Sequence, residues 1–514
     1  MPERNVLRLA AGSAAAGLAL AATAAGLAGP WDGGQRTAER LRASAPAATG
    51  GAHHGSGPTR GPAGALPGAA PAPAPSAPAV LAPLAAPRAA GTAASAPAGV
   101  LDPLLRAPGL GSAPTATVVD VATGRRLYDR GGATPMVPAS TVKIATAAAA
   151  LSALGPEHRL TTTVVATPDG RAVTLVGGGD PTLDARRLRD LAAGTAKALR
   201  ARKAPATGPA LTYDTSLYAG PVRHPIGAND NLAPVTALMT DAARLDGSTS
   251  GPAPRAQDPA GRAARLFADL LAEQGVRVQG PPAPARAPRG AAPVATTRSA
   301  PLAALVERTL TASDNDLAEA LARATARATG HPASFDGAAR AVRARLRHLG
   351  VPPDGAVLAD GSGLDRRNRL SARLLTALLT RAAAPAGAEL RPVLTGLPVG
   401  GFNGTLEGRY AAGSPGAGLV RAKTGTLTGV NALAGTAVTA DGRLVAFAFL
   451  AAGTPSPYEA QPALDALATA LTTSALTPAP TGPAAATGTP VPGTPVPGTP
   501  APAVPRPAAP APVP

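Results

Sequence analysis

The sequence contains no cysteine, which excludes disulfide bonds, thiolate nucleophiles and metal sites with cysteine ligands. Aromatic residues make up only 2% of the chain, so an aromatic platform for stacking single-stranded nucleic acid is not expected. The net charge is +17, but the basic residues are scattered and form no long run. We interpret this charge as a basic surface suited to an anionic cell envelope, and we expect no nucleic-acid partner.

Lysine is also scarce, because only four of the 48 basic residues are lysines, at positions 143, 197, 203 and 423. The abundance of alanine and arginine indicates a GC-rich coding background, in which arginine replaces lysine wherever a positive charge is sufficient. A guanidinium stays protonated in proteins, whereas a lysine amine can lose its proton when it is buried. Each remaining lysine is therefore a candidate for chemistry that arginine cannot perform.

The N-terminal residues have the pattern of a targeting segment. Arg4 and Arg8 precede an uncharged, alanine-rich stretch at residues 9–29, which ends in small residues. This order is typical of a signal peptide, and the stretch is also long enough for a membrane helix. We predict that residues 1–30 are a signal peptide or a membrane anchor, with a helix of no targeting role as the third interpretation. Both leading interpretations make the rest of the chain extracytoplasmic, in the cell envelope.

Proline is concentrated near the two ends of the chain. Residues 43–100 contain 11 prolines and residues 477–514 contain 14. Such segments bury too little apolar surface to offset the entropy lost on ordering. We predict a disordered Pro/Ala-rich spacer at residues 31–100 and a disordered Pro-rich tail at residues 477–514.

The segment between them, about residues 101–476, has the composition of a folded domain. The Asp-Gly pair at 441–442 predicts a β-hairpin, and the leucine spacing over 464–471 predicts a final helix. Predicted strands and helices are mixed without a regular βα repeat. This pattern favours an α/β (α+β) fold in which helices flank an antiparallel sheet.

Ser140 and Lys143 form an S-x-x-K motif at the start of a predicted helix, one turn apart on the same face. A serine hydroxyl needs a base before it becomes a nucleophile. A lysine amine can be that base when burial or nearby positive potential lowers its pKa. The alternative is a serine helix cap beside a surface lysine, and the scarcity of lysine weighs against it.

The second motif is Ser313-Asp314-Asn315. In a catalytic interpretation, Ser313 would relay a proton to the leaving amine and Asn315 would hold a backbone amide of the substrate. The alternative interpretation is a polar helix cap or turn.

The third motif, Lys423-Thr424-Gly425-Thr426, lies on a predicted strand. Lys423 can attract a carboxylate, the two threonine hydroxyls can bind it, and Gly425 leaves room for a substrate along the strand edge. An ordinary strand with a loose lysine is the alternative. However, S-x-x-K, S-D-N and K-T-G in this order are the signature of penicillin-binding proteins and class A β-lactamases.

Other kinds of site have weaker support. The histidines lie in no recognisable Ser-His-Asp arrangement. The glycine run at 177–179 lacks the Lys and Ser/Thr of a phosphate-binding loop and predicts a tight turn. No His, Asp or Glu cluster has metal-ligand spacing, so we expect neither a metal nor a cofactor.

Beyond the three motifs, the chain resembles the class C low-molecular-weight penicillin-binding proteins, which are D-alanyl-D-alanine carboxypeptidase/endopeptidases. The resemblance spans about residues 101–475. The matching segments are residues 138–143, 175–183, 213–218, 233–238, 360–364, 404–406 and 422–430.

This resemblance implies a penicillin-binding-protein/β-lactamase-like serine transpeptidase fold, split by an insertion between the first and second motifs. We expect the catalytic domain at residues 101–165 and 291–476, and the inserted domain or domains at residues 166–290.

The resemblance also implies the reaction. Ser140, assisted by Lys143, would attack the carbonyl between the two terminal D-alanines of a peptidoglycan stem peptide. The backbone N–H groups of Ser140 and Thr426 would form the oxyanion hole. Ser313, with Lys423 nearby, would protonate the departing D-alanine, and water would hydrolyse the acyl-enzyme.

Peptidoglycan stem peptides are thus the expected substrates and β-lactam antibiotics the expected inhibitors. Family members also cut cross-bridges, which implies endopeptidase activity. The substrate-binding residues implied are Asn315, Lys423, Thr424, Gly425 and Thr426. Asp230 is the candidate contact for the diamino acid of the stem peptide.

Three alternatives remain. A class A β-lactamase relies on a Glu between the second and third motifs for deacylation, but residues 320–388 contain none, and Glu389 and Glu407 come late. A non-catalytic envelope protein that binds muropeptides or β-lactams is opposed by the intact motifs. The third alternative is an interaction protein that acts through its linkers.

Overall fold

The computed structural model describes residues 97–204, 207–411 and 413–475. The predicted signal peptide or anchor, residues 31–96 of the predicted spacer and the predicted tail lie outside the described residues. Within the described ranges, no helix has the length and apolar character needed to cross a membrane.

The described residues form ten strands and ten α-helices. The strands are β1 Thr115–Asp120, β2 Arg126–Arg130, β3 Thr161–Ala166, β4 Ala172–Val176, β5 Ala210–Asp214, β6 Ala283–Pro284, β7 Ala292–Arg298, β8 Val420–Leu427, β9 Val430–Val438 and β10 Leu444–Ala452. The helices are α1 Pro97–Leu104, α2 Val142–Leu154, α3 Ala185–Ala201, α4 Pro259–Glu273, α5 Leu302–Thr311, α6 Asn315–Ala328, α7 Phe335–His348, α8 Ala372–Ala383, α9 Arg391–Thr395 and α10 Pro457–Thr473.

The first sheet has five antiparallel strands in the order β2-β1-β10-β9-β8. Its strand β10 is buried on both faces. Phe447 and Phe449 point into the cluster that contains α1 and α10, whereas Ala446 and Ala448 point into the cluster around α2 and α8. At residues 446–449, this period of two places bulky side chains on one face and small ones on the other. The small side chains let the helices approach the sheet closely, which confirms the predicted sheet flanked by helices.

Helix α2 lies at the centre of the helical layer. All ten residues of its first part, 142–151, are buried, and most of them are alanines or other small residues. Small side chains allow α6, α7 and α8 to pack against it from several sides. The N-terminus of α2 is therefore held rigidly beside the first sheet.

The second sheet is built from residues between the first and second motifs, in the order β6-β5-β4-β3-β7. Strands β3 and β7 are antiparallel, and their ends Thr161 and Arg298 pair directly. Helices α3 and α4 pack on this sheet and share a core that includes Phe267. Because β3 and β7 are neighbours, the chain leaves and re-enters the first core at one place.

Candidate active site

Ser140 lies in a short 3-10 turn, Ala139–Thr141, that leads directly into α2. Ala139 has a φ of 46°, in the left-handed region that non-glycine residues rarely adopt. Strand β8 passes so close to this turn that a Cβ on Gly425 would lie 2.7 Å from the carbonyl oxygen of Pro138. A glycine at position 425 is therefore required for β8 to pass beside the half-buried Ser140.

The amine of Lys143 is fully buried and lies 2.9 Å from the Ser140 Oγ. It is also 2.6 Å from the Asn315 Oδ1 and 2.6 Å from the Ser362 carbonyl oxygen. Burial lowers the pKa of Lys143 to about 8, although the surrounding carboxylates act in the opposite direction.

This set of partners suits a neutral amine. A neutral lysine has two N–H bonds and one lone pair, and the two carbonyl-type oxygens of Asn315 and Ser362 accept both N–H bonds. The lone pair is then left facing the Ser140 hydroxyl. In this state Ser140 donates and Lys143 accepts, which is the arrangement a general base requires.

The second motif forms the turn between α5 and α6. Ser313 has a φ of 56°, a strained conformation for a residue with a side chain. The Asp314 carboxylate caps α6 by accepting the backbone N–H of Leu317. Asn315 starts α6 and donates from its Nδ2 to the Asn231 carbonyl oxygen at 2.9 Å. The predicted cap is therefore present, and it is the device that aims Ser313 and Asn315.

The third motif lies on β8, the edge strand of the first sheet. The Lys423 amine is fully buried and donates to the Thr424 carbonyl oxygen at 2.9 Å. Burial, reinforced by the positive charge of Lys143, holds the pKa of Lys423 well below its usual value. Thr424 donates from its hydroxyl to the Thr405 Oγ1 at 2.8 Å.

Beside Ser140, the outer edge of β8 pairs with no neighbouring loop in the described residues, although the Thr424 carbonyl accepts from the Lys423 amine. Earlier in the strand, Ala422 donates to the Pro398 carbonyl oxygen and Val420 accepts from the Gly400 N–H. With the period of two along an antiparallel strand, the backbone groups of Thr424 and Thr426 face the same edge. An extended peptide could therefore pair with β8 at this point.

These elements surround a cleft of about 240 Å³. Its lining includes Ser140, Ser313, Asn315, Thr405 and Thr426. The structure therefore brings the three motifs together, with the amines of the two lysines buried beneath the surface. Asp230 is exposed and is not among the lining residues, although its neighbour Asn231 is, so its predicted contact stays a prediction.

Sequence reasoning missed several buried charges around this cleft. Arg255 and Asp316 form an ion pair at 2.7 Å with almost no exposure of either side chain. Burial raises the pKa of Asp316 to about 6. Asp316 directly follows the second motif, and this position is a signal that could have drawn attention to it. Arg255 lies in a loop with no recognisable pattern.

A second buried group contains His224, Glu319 and Asp360, whose ligand-type atoms lie within 4.8 Å of one another. Their polar atoms already have partners within the protein. The Asp360 carboxylate accepts from Ser362 and from His224, and the Glu319 carboxylate accepts from the Arg323 guanidinium. The positive charge in this group is thus supplied by an arginine.

Comparisons of this sequence and structure with known proteins identify relatives that are named carboxypeptidases. A family model described as the D-Ala-D-Ala carboxypeptidase 3 (S13) family matches residues 98–253 and 245–473. The chain is 40% identical over 381 residues to a carboxypeptidase of Mycobacterium tuberculosis, covering 69% of this chain and 79% of that protein. It is 38% identical over 379 residues to carboxypeptidase DacB of Mycolicibacterium smegmatis, covering 70% and 80%.

Among solved structures, penicillin binding protein 4 of Haemophilus influenzae has a TM-score of 0.62 and 24% identity. The alignment covers 71% of this chain and 98% of that one. This similarity confirms the predicted fold class. Since the family match runs through all three motifs that meet at the cleft, the chain belongs to the D-Ala-D-Ala carboxypeptidase 3 (S13) family.

Proposed function

We propose that this protein is a serine-type D-Ala-D-Ala carboxypeptidase that acts on peptidoglycan stem peptides through an acyl-enzyme at Ser140. The observation that carries the proposal is the buried amine of Lys143, 2.9 Å from the Ser140 Oγ and held by two other oxygens. A surface lysine beside a helix cap would have neither the burial nor the partners.

Acylation begins when the Lys143 lone pair takes the proton of the Ser140 hydroxyl. The Ser140 Oγ then forms a bond to the carbonyl carbon between the two terminal D-alanines. The backbone N–H groups of Ser140 and Thr426 stabilise the negative oxygen of the tetrahedral intermediate. The N-terminus of α2 adds positive potential at the same point.

The intermediate collapses when the C–N bond breaks and the departing D-alanine amine takes a proton. Ser313 lies in the cleft with Ser140 and relays that proton from Lys143. The carboxylate of the departing D-alanine is bound by the hydroxyls of Thr424 and Thr426. When its amine is protonated, Lys423 attracts the same carboxylate.

Deacylation returns the enzyme to its first state. A water molecule gives a proton to Lys143 and attacks the ester carbon. When this second intermediate collapses, Lys143 returns the proton to the Ser140 Oγ, and the shortened peptide leaves with a new carboxylate. A β-lactam acylates Ser140 in the same way, but its amine remains tethered to the acyl group. Cleavage of cross-bridges uses the same steps with another amine as leaving group, which makes endopeptidase activity part of the proposal.

We infer that the enzyme acts in the cell envelope, where peptidoglycan is located. Residues 1–30 support this proposal by their targeting pattern. The basic net charge suits an anionic polymer as surroundings.

The test is intact mass spectrometry of the full chain incubated with benzylpenicillin, together with D-alanine release from a stem pentapeptide. We expect a stable adduct of one penicillin per chain and release of the terminal D-alanine. Hydrolysis of penicillin without an adduct would favour the β-lactamase alternative. If neither an adduct nor hydrolysis is observed, the result favours the non-catalytic binding protein.

The acylation rate should rise with pH until Lys143 is deprotonated. The pKa of Lys143 lies at about 8, and only the neutral amine can accept the Ser140 proton. At one pH unit below this pKa about a tenth of the amines are neutral, so the rate constant should rise about tenfold between pH 7 and pH 9. The measurement is the second-order rate constant of labelling by a fluorescent penicillin. A flat profile over this range would contradict Lys143 as the base.

A further inference from the structure

A buried carboxylate lies one helical turn from Asn315 on α6. Glu319 is fully buried, and its Oε1 accepts the backbone N–H groups of Gly361 at 3.0 Å and Ser362 at 2.9 Å. Asn315 and Glu319 are four residues apart, which places them on the same face of α6. The same helix therefore contacts Lys143 directly and holds the 361–362 backbone that also contacts it.

The backbone carbonyl groups of Gly361 and Ser362 point to α2. The Gly361 carbonyl oxygen accepts from the Thr146 hydroxyl at 2.8 Å, and the Ser362 carbonyl oxygen accepts from the Lys143 amine at 2.6 Å. A Cβ on Gly361 would lie 2.7 Å from the Ala318 carbonyl oxygen, so only glycine lets the turn pack this closely on α6. Residues 361–362 thus form a bridge clamped between α6 and α2.

A neutral Lys143 can turn about its last bond until both its N–H bonds find acceptors. With Asn315 as the only fixed acceptor, the lone pair could point away from Ser140. The Ser362 carbonyl removes this freedom, and Glu319 fixes that carbonyl by holding the N–H groups of the bridge. Glu319 itself is anchored by Arg323, whose Nη1 donates to its Oε2 at 2.9 Å.

We propose that Glu319 is a positioning residue, which holds the Ser362 carbonyl against the amine of Lys143 and thereby aims the lone pair at Ser140. The inference rests on the proposed function, since it assumes that Lys143 is the base. Glu319 is fully buried and is not among the residues that line the cleft, and its oxygens accept from the bridge and from Arg323.

Glu319 also contributes charge. The carboxylates of Asp314, Asp316, Glu319 and Asp360 all act to raise the pKa of Lys143, whereas the charge of Lys143 acts to lower the pKa of the neighbouring Lys423. The side chain of Glu319 can thus affect both the orientation of the amine and the pH at which it becomes neutral. Two substitutions at this position separate the two effects.

The experiment measures acylation of the full chain by a fluorescent penicillin between pH 6 and pH 10, with rates expressed per active site after burst titration. Glu319→Ala removes the acceptor and should lower the plateau rate about 100-fold, the cost of a misplaced catalytic group. Glu319→Gln keeps an amide oxygen for the bridge and should recover most of that rate, with its midpoint at lower pH because a negative charge is lost. The matched control is Glu273→Gln, since Glu273 is exposed and makes only a 3.8 Å ion pair with Arg189.

Glu319→Ala and Glu319→Gln both leave the buried charge of Arg323 without its ionic partner, and either variant is liable to fail to fold. Thr146→Val therefore tests the bridge from its other side without a change of charge. It should slow acylation while leaving the midpoint in place. Wild-type rates per active site in Glu319→Ala, or in Thr146→Val if the former does not fold, would overturn the proposal.

Equal plateau losses in Glu319→Ala and Glu319→Gln with an unchanged midpoint would also overturn it, because a purely structural role predicts that result. A wild-type chain that is never acylated would instead be a failure of the proposed function. The two failures are therefore distinguishable.

Discussion

Ser140→Ala is expected to abolish both the penicillin adduct and the release of D-alanine. The variant lacks the Ser140 hydroxyl, which lies 2.9 Å from the Lys143 amine, so no acyl-enzyme can form at position 140. Loss of a catalytic nucleophile lowers turnover by about 10⁴-fold or more in serine hydrolases. Intact mass and D-alanine release, measured on the full chain, give the result directly.

The fold should survive this substitution. Ser140 is half-buried, and no cap or ion pair in the described structure depends on its hydroxyl. Ser474→Ala is a suitable control, because that serine follows α10 and lies outside the lining of the cleft. An adduct that persists in Ser140→Ala would point to Ser313 as the nucleophile, and Ser313→Ala would then have to abolish it.

Lys143→Met is expected to be nearly as damaging to acylation. Methionine fills a comparable apolar volume, but it has no lone pair that can take a proton from Ser140. General-base catalysis contributes about 10²–10⁴-fold, and we expect a loss in the upper part of that range because the base is fully buried beside the nucleophile. The measurement is the second-order acylation rate constant at pH 9, where the wild-type amine is neutral.

The control is Lys197→Met, because Lys197 is exposed on α3 and far in sequence from every motif. Lys143→Met should retain the circular-dichroism spectrum of the parent, since a buried amine is replaced by an apolar group of similar length. Acylation of Lys143→Met at a wild-type rate would remove Lys143 from the mechanism and leave Lys423 as the remaining buried amine.

The sequence predicted the parts of the site that consist of short local motifs. Ser140 with Lys143, Asn315 with its cap, and the strand that carries Lys423 were each readable within a few residues. The scarcity of lysine drew attention to Lys143 and Lys423, and the side chains of both are fully buried. Buried amines of this kind are rare outside functional sites.

The parts that escaped prediction depend on contacts between distant segments. Glu319 acquires its two backbone N–H partners only because residues 361–362 fold back onto α6, and Arg255 meets Asp316 only because its loop reaches that side chain. A single sequence contains no sign of such pairing. A carboxylate in an alanine-rich helix reads as a solvent-exposed residue.

Some secondary structure also escaped prediction. Strand β7 is largely exposed and carries Pro293, so it lacks the apolar alternation that signals a strand. Helix α1 includes residues 97–100, within the segment expected to be a spacer, and it contains Pro103. Its buried Leu101 attaches it to the first core, which its local composition does not reveal.

The pairing of β1 with β10 has a consequence for how the protein folds. Residues 115–120 of β1 pair with residues 445–450 of β10, so β1 cannot complete its pairing until a segment more than 300 residues later in the chain is available. Closing so long a loop lowers the chain entropy before the contacts that stabilise the pair have formed. Folds with many contacts between distant residues therefore form slowly. A chain still emerging from the ribosome lacks β8 to β10, and with them Lys423. Covalent labelling by penicillin is therefore expected to report only those molecules in which β8 to β10 have folded, and its time course would follow this last step of folding.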